Sequence, residues 1–154
     1  MAIYRSAMNA KAGVNTANTV MWQLKAPSSL RLRIKEIIWT VSTAPTTATQ
    51  IVISRHLTLG TSSTSTLGQA VDPAEPAALG TLDSAWSAAP TFTTTGPFLF
   101  AVTVPVTAGA VFYWVSPGPD SDIIVPVSSG IQFIQANASG ATVGAHSLAV
   151  SWAE

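Results

Sequence analysis

LRLRIKEIIWTV, residues 30–41, constrains the fold more than any other stretch. Leu30, Leu32 and Ile34 alternate with Arg31, Arg33 and Lys35, the period of a strand with one face in a core and a basic row on the other. After Glu36 the apolar set moves to Ile37, Trp39 and Val41. A one-residue slip sends every later side chain to the opposite face. The stretch therefore needs a β-bulge near Glu36 and Ile37, or burial of both its faces.

The remaining pattern is of the same kind. Residues 2–12 predict a first strand or extended arm, TVMWQLKA (19–26) a second strand, and TQIVISRHL (49–57) a fourth. FLFAVTVPV (98–106) places Phe98, Phe100, Val102 and Val104 on one face, with Pro105 implying an edge or a strand end. AVFYWV (110–115) is almost wholly apolar and predicts a strand buried on both faces. Two short strands follow in DIIVPV and GIQFIQANA, and AHSLAVSWA closes the chain. In that last strand His146, Leu148, Val150 and Trp152 oppose a face of small residues, Ala145, Ser147, Ala149 and Ser151, which permits close approach of another sheet or subunit.

The tally is about eight short strands, turns rich in Gly, Pro, Ser and Thr, and no amphipathic helix. It predicts one all-β domain over residues 1–154, an antiparallel β-sandwich. Four strands, one long crossing segment and four more strands fit a jelly roll, with an immunoglobulin-like sandwich as the alternative. The crossing segment, residues 59–97, has no sustained strand or helix period, yet carries Leu67, Val71, Leu79, Leu82, Trp86 and Phe92. A solvated linker has little use for that much apolar surface. It reads as an ordered excursion closing over its own sheet or over a neighbouring subunit, with a short helical turn near residues 79–86 capped by Thr81 or Asp83.

Composition bears on function. The chain is 47% hydrophobic and only 9% charged, against about 25% charged in ordinary soluble domains. No run approaches the ~18 apolar residues of a membrane helix, and no basic start leads into an apolar signal region. Coverage by partner subunits is the explanation left. All seven basic residues lie at or before Arg55, and all acidic residues except Glu36 at or beyond Asp72. Either sheet pairing brings the two halves together within one subunit, or a basic face with Arg31, Arg33 and Lys35 meets an acidic loop of the next subunit.

Chemistry-bearing patterns are sparse. Two lone histidines, His56 and His146, do not make a metal site. Asp120 and Asp122 lie in SPGPDSD without the further oxygen ligands of a calcium loop and read as a solvated acidic turn. Asn137-Ala138-Ser139 matches a glycosylation pattern but follows no secretion signal. The acids Asp72, Glu75 and Asp83 lack the subsite residues of a glycosidase, and no nucleophile elbow is present. Three basic residues without aromatic partners make no nucleic-acid surface. The pattern calls for no enzyme, no cofactor, no membrane and no small-molecule ligand.

The DPAEP and LDSAWSAAPTF loop, the block PFLFAVTVPVTAGAVFYWVSPGPDSDIIVPVSSGIQF and the closing SLAVSWAE resemble the small jelly-roll capsid decoration, or cement, proteins of tailed bacteriophages. The likeness spans most of the chain and lies in layout and composition. It implies a virion protein made in the host cytoplasm, a homotrimer on the outer capsid surface that bridges major capsid subunits. The interface expected from this sequence comprises Leu67, Val71, Asp72, Glu75, Leu79, Leu82, Asp83 and Trp86 of the excursion, with Arg31, Arg33 and Lys35. Trp86 is either its anchor or a loop residue folded back on its own sheet. The alternative function is a carbohydrate- or receptor-binding module of a phage tail, with Trp86 as the exposed aromatic platform.

Overall fold

A computed structural model describes residues 1–14, 16–136 and 144–154, so the Asn137-Ala138-Ser139 pattern lies outside the described residues. The strands are β1 (Ile3–Ala12), β2 (Thr19–Lys25), β3 (Leu32–Val41), β4 (Thr49–Thr58), β5 (Thr61–Leu67), β6 (Gln69–Ala70) and β7 (Thr81–Ala88). They continue with β8 (Thr91–Phe92), β9 (Phe100–Val104), β10 (Ala110–Val115), β11 (Ile123–Val125), β12 (Gly130–Gln135) and β13 (Ala145–Ala153), and one 3-10 turn at Pro119–Ser121.

The strands form two antiparallel sheets. The first runs β10-β3-β13-β1-β6, with β11 also on β3; the second runs β5-β7-β2-β12-β4-β8, with β9 also on β4. Among the long strands β1 pairs with β13, β2 with β12, β3 with β10 and β4 with β9. The earliest strand thus pairs with the last, the next with the one before it, and so inward. That is a long hairpin rolled into a two-sheet sandwich, the jelly roll, and it excludes the immunoglobulin-like order.

The phase change in β3 is a bulge. Ser151 of β13 faces Glu36 while Trp152 faces Ile34, so Lys35 is the extra residue. The bulge lets Leu32 and Ile34 before it, and Ile37, Trp39 and Val41 after it, all enter the core. Between the sheets Trp22 of β2 meets Trp39 of β3 edge-on, with ring centroids 5.5 Å apart. Phe133 of β12 packs against Trp39 at 6.1 Å. The Trp39 indole N–H donates to Nδ1 of the buried His146, 3.1 Å away.

Residues 59–97 differ from the sequence reading. The segment is ordered, but it is built largely of strands, and no helical turn forms at residues 79–86. β5 pairs with β7, β7 joins the second sheet beside β2 through Thr81–Asp83, and β6 crosses to the first sheet to pair with β1. TSSTSTL has no apolar period and is almost wholly exposed, so no local alternation marks it as a strand. Ala78 and Leu82 enter the main core, and Trp86, Phe92 and Phe98 cover Val20, Val52 and Ile134 on the outer face of the second sheet. Gly60 and Gly68 permit this: a Cβ at Gly60 would meet the Trp86 ring at 2.4 Å, and one at Gly68 the Trp152 ring at 2.5 Å.

β10 also departs from expectation. It is an edge strand, with Ala110, Phe112 and Trp114 turned inward and Val111, Tyr113 and Val115 outward and exposed.

The charges pair within the chain. Arg5 reaches Glu36 at 3.1 Å, Lys25 reaches Asp83 at 2.9 Å, and Arg33 and Lys35 reach Asp122 at 3.8 and 2.5 Å. Asp122 is therefore a buried partner of the β3 basic row and not a solvated turn residue. Burial opposes ionisation of its carboxyl. Hydrogen bonds from Lys35 and Ser116, with the Lys35 and Arg33 charges, outweigh that and hold it below the usual carboxylate range.

Two outcomes follow from this packing. The contribution of ionised Asp122 is complete above its unfolded pKa, about 3.9, and is lost as pH falls through the lower folded value. Asp122→Asn should lower the urea midpoint at pH 7, and the gap from the parent should narrow below about pH 4. Leu82→Ala, which opens a cavity in the core from within the excursion, should cost about 2–5 kcal/mol in urea unfolding; a loss below about 1 kcal/mol would mean that β7 is not integral to the sandwich.

Candidate functional site

The two outer faces of the sandwich differ. That of the second sheet is covered by the chain's own residues: Gly60 N–H donates to Gln23 at 3.2 Å, and Gln132 donates to the Thr91 carbonyl at 3.1 Å. Ser65 bonds to Asp83, and Trp86, Phe92 and Phe98 lie over the apolar part. The described residues leave the first sheet's outer face uncovered.

Strand register sets what that face displays. The β3 bulge turns Glu36, Ile38 and Thr40 outward, and cross-strand pairing extends each into a row. One row runs Val115–Glu36–Ser151–Arg5 and the next Tyr113–Ile38–Ala149–Ala7. Val111, Thr40 and Ser147 form a third. The only charges in these rows belong to one pair. Glu36 accepts from Arg5 and Ser151, each at 3.1 Å, and from the Tyr113 hydroxyl at 3.4 Å. The other two rows are uncharged, with a shallow hollow of about 120 Å³ floored by Ala7, Ile38, Ser147 and Ala149.

Such a face suits an apolar, uncharged partner. No charged group in the two neutral rows must be desolvated on docking, and a small-residue floor lets another surface approach closely.

The residues expected from sequence to form an interface divide into three groups. Leu67, Val71, Leu79, Asp72 and Glu75 are exposed, around the crossing from β5 to β6 and the loop after it. That loop is fastened to its own subunit. The Tyr4 hydroxyl donates to the Pro76 carbonyl at 3.0 Å, the Glu154 carboxylate accepts from Leu79 N–H at 3.0 Å and Gly80 N–H at 2.8 Å, and Asp72 caps Ala74 N–H at 2.9 Å. Leu67 and Val71 line a cleft of about 390 Å³ with Arg5 and Ala70.

Leu82 and Asp83 are corrections. Both are fully buried, Leu82 in the core and Asp83 against Lys25, so neither forms part of this chain's surface. Trp86 is half-buried on its own sheet, with the Lys11 ammonium 5.0 Å from its ring centroid. Lys11 donates to the Met21 and Ser84 carbonyls at 2.7 and 2.5 Å, and its burial lowers its pKa. Arg33 and Lys35 are engaged by Asp122, which leaves Arg31 as the exposed member of the basic row. Of the two readings of the charge split, pairing within one subunit accounts for these groups.

Sequence reasoning missed the outer row of β10 and its continuation through Ile38, Ala149 and Ala7. The small face of the last strand was a partial signal. Among the described residues no group of three or more His, Cys, Asp or Glu side chains could hold a metal ion. His56 is occupied with Gly130, 3.1 Å from its Nδ1. Comparison with protein-family models, with curated proteins and with solved structures finds no match for this chain.

Proposed function

We propose that this chain is a non-enzymatic virion structural protein, a capsid decoration or cement protein of the tailed-bacteriophage kind. In this reading it assembles as a homotrimer on the outer capsid surface and stabilises the shell by bridging major capsid subunits. The observation that carries the proposal is the uncovered outer face of the first sheet, centred on Ile38, Ala149 and Ala7, with its one ion pair internally neutralised. Burying apolar area contributes roughly 25 cal/mol per Å², and it becomes net affinity when the surface is already ordered. A sheet held in register on both sides meets that condition. The low charge of the whole chain supports the same reading, because broad contact with a shell does not then strand ions in a dry interface.

The purified protein should be a stable trimer by light scattering and should co-sediment with virions or empty capsids. Ala149→Glu, a charge at the centre of the face, should reduce co-sedimentation at least tenfold while the β-sheet circular dichroism signal persists. Equal co-sedimentation of variant and parent would remove this face from the proposal; absence of parent co-sedimentation with any tailed-phage capsid would remove the capsid role.

One feature favours a second reading, a glycan- or receptor-binding module of a phage tail. An open groove of about 500 Å³ runs past Lys11, Thr19, Ser84, Trp86 and Pro90, joining an aromatic ring to polar groups. Glycan-array binding that is lost in Trp86→Ala would establish it, and an array without signal would count against it.

A further inference from the structure

Of the seven basic side chains, Arg5, Lys25, Arg33 and Lys35 each meet a carboxylate at 3.8 Å or less. Among the described residues Lys11, Arg31 and Arg55 meet none, and Arg31 and Arg55 are exposed to water. Lys11 is different. It is half-buried, and burial lowers the pKa of its ammonium with no neighbouring carboxylate to hold it up.

β1 carries Lys11 across to the second sheet, where its ammonium donates to the carbonyls of Met21 on β2 and Ser84 on β7, at 2.7 and 2.5 Å. It lies 5.0 Å from the ring centroid of Trp86 and 5.9 Å from that of Trp22. Carbonyl dipoles and indole faces lessen the cost of a half-buried cation but do not neutralise it. An ammonium has three N–H donors, and the two carbonyls take two. Lys11 lines the open groove of about 500 Å³ together with Val14, Thr19, Ser84, Trp86 and Pro90.

We propose that this groove binds an acidic saccharide, the ligand's carboxylate on the Lys11 ammonium and its sugar ring against the apolar and hydroxyl groups beside it. The inference rests on the glycan-binding reading of the groove given above and names the class of sugar. Charge selects a carboxylate. The groove holds one cation, which matches a single negative charge, whereas a phosphate chain calls for a cluster of Arg and Lys. Among the described residues no carboxylate lines the groove, so nothing there repels an anion. The lining selects a sugar. Val14, Trp86 and Pro90 supply apolar surface and Thr19 and Ser84 supply hydroxyls, the two kinds of surface that a pyranose ring presents in return. An acidic peptide offers the same carboxylate but leaves those hydroxyls without sugar hydroxyls to meet. A bound carboxylate takes the third N–H of Lys11 and balances its charge; a neutral sugar does neither.

The test places the full-length chain on an array of sialylated and uronate-containing glycans beside their neutral counterparts. Signal should concentrate on the acidic glycans. Converting the carboxylate of a bound glycan to its methyl ester keeps the ring and removes the charge, and should weaken binding about tenfold or more. Lys11→Met should lose the preference for acid over ester with the circular dichroism spectrum of the parent; the ester comparison on the parent chain needs no variant and decides the question if Lys11→Met does not fold. Poly-glutamate should not displace the glycan. Equal binding of acid and ester, or an acid preference that persists in folded Lys11→Met, overturns the Lys11 contact while leaving a glycan site in place. Displacement by poly-glutamate makes the groove a site for acidic peptides and overturns the saccharide. An array without signal overturns both this inference and the glycan-binding reading.

Discussion

The structure depends on the edge-to-face contact of Trp22 and Trp39 across the sandwich. These two rings, with Phe133 on one side and His146 on the other, hold the sheets at a separation that smaller side chains would not fill. Trp39 reaches this position only because the Lys35 bulge resets the phase of β3. A second bulge skips Met21 where β2 pairs with β12 and brings both Met21 and Trp22 to full burial. Two local irregularities thus serve one packing requirement. A second aromatic group, Tyr4 and Trp152 with centroids 6.4 Å apart, fills the β1 end of the core. The crossing at Gly68 lies directly on it.

The same arrangement decides which surfaces remain for function. The excursion between β4 and β9 is spent on the molecule itself: it extends the second sheet, covers that sheet's outer face and ties its loop to Glu154. Several of the few charges are also engaged inside, Asp83 and Asp122 each holding basic groups. The outer face of the first sheet, whose one ion pair is Arg5–Glu36, and the β10 edge are left as register-ordered surfaces of low charge. The proposed function draws on that unused surface. A contact of this kind gains little from electrostatic steering and depends on shape and burial.

Much of the sandwich was legible in the sequence because strand alternation is a local signal. The bulge near Glu36 and the inward faces of β13 and of β9 at Phe100, Val102 and Val104 follow from where apolar residues fall along short segments; Phe98, expected on that same face, precedes β9 and packs on the outer face of the second sheet instead. The interface residues were less legible. Leu82 and Asp83 looked like loop positions because TSSTSTL, the strand that pairs with theirs, has hydroxyl side chains on both faces and no period to read. AVFYWV looked like a central strand because an apolar run does not distinguish a strand covered by its own sheet from an edge strand presented outward.

By itself, then, the sequence determined the fold class, the side-chain phase of most strands and the scarcity of charge, since each is written in composition or in the spacing of neighbouring residues. Only the tertiary structure decided that Asp122 meets the β3 basic row, that residues 59–97 cover their own second sheet, and that β10 stands at an edge. Those are long-range facts: each rests on contacts between segments distant in the chain, set by sheet order and register, and no local period encodes which strand comes to lie beside which.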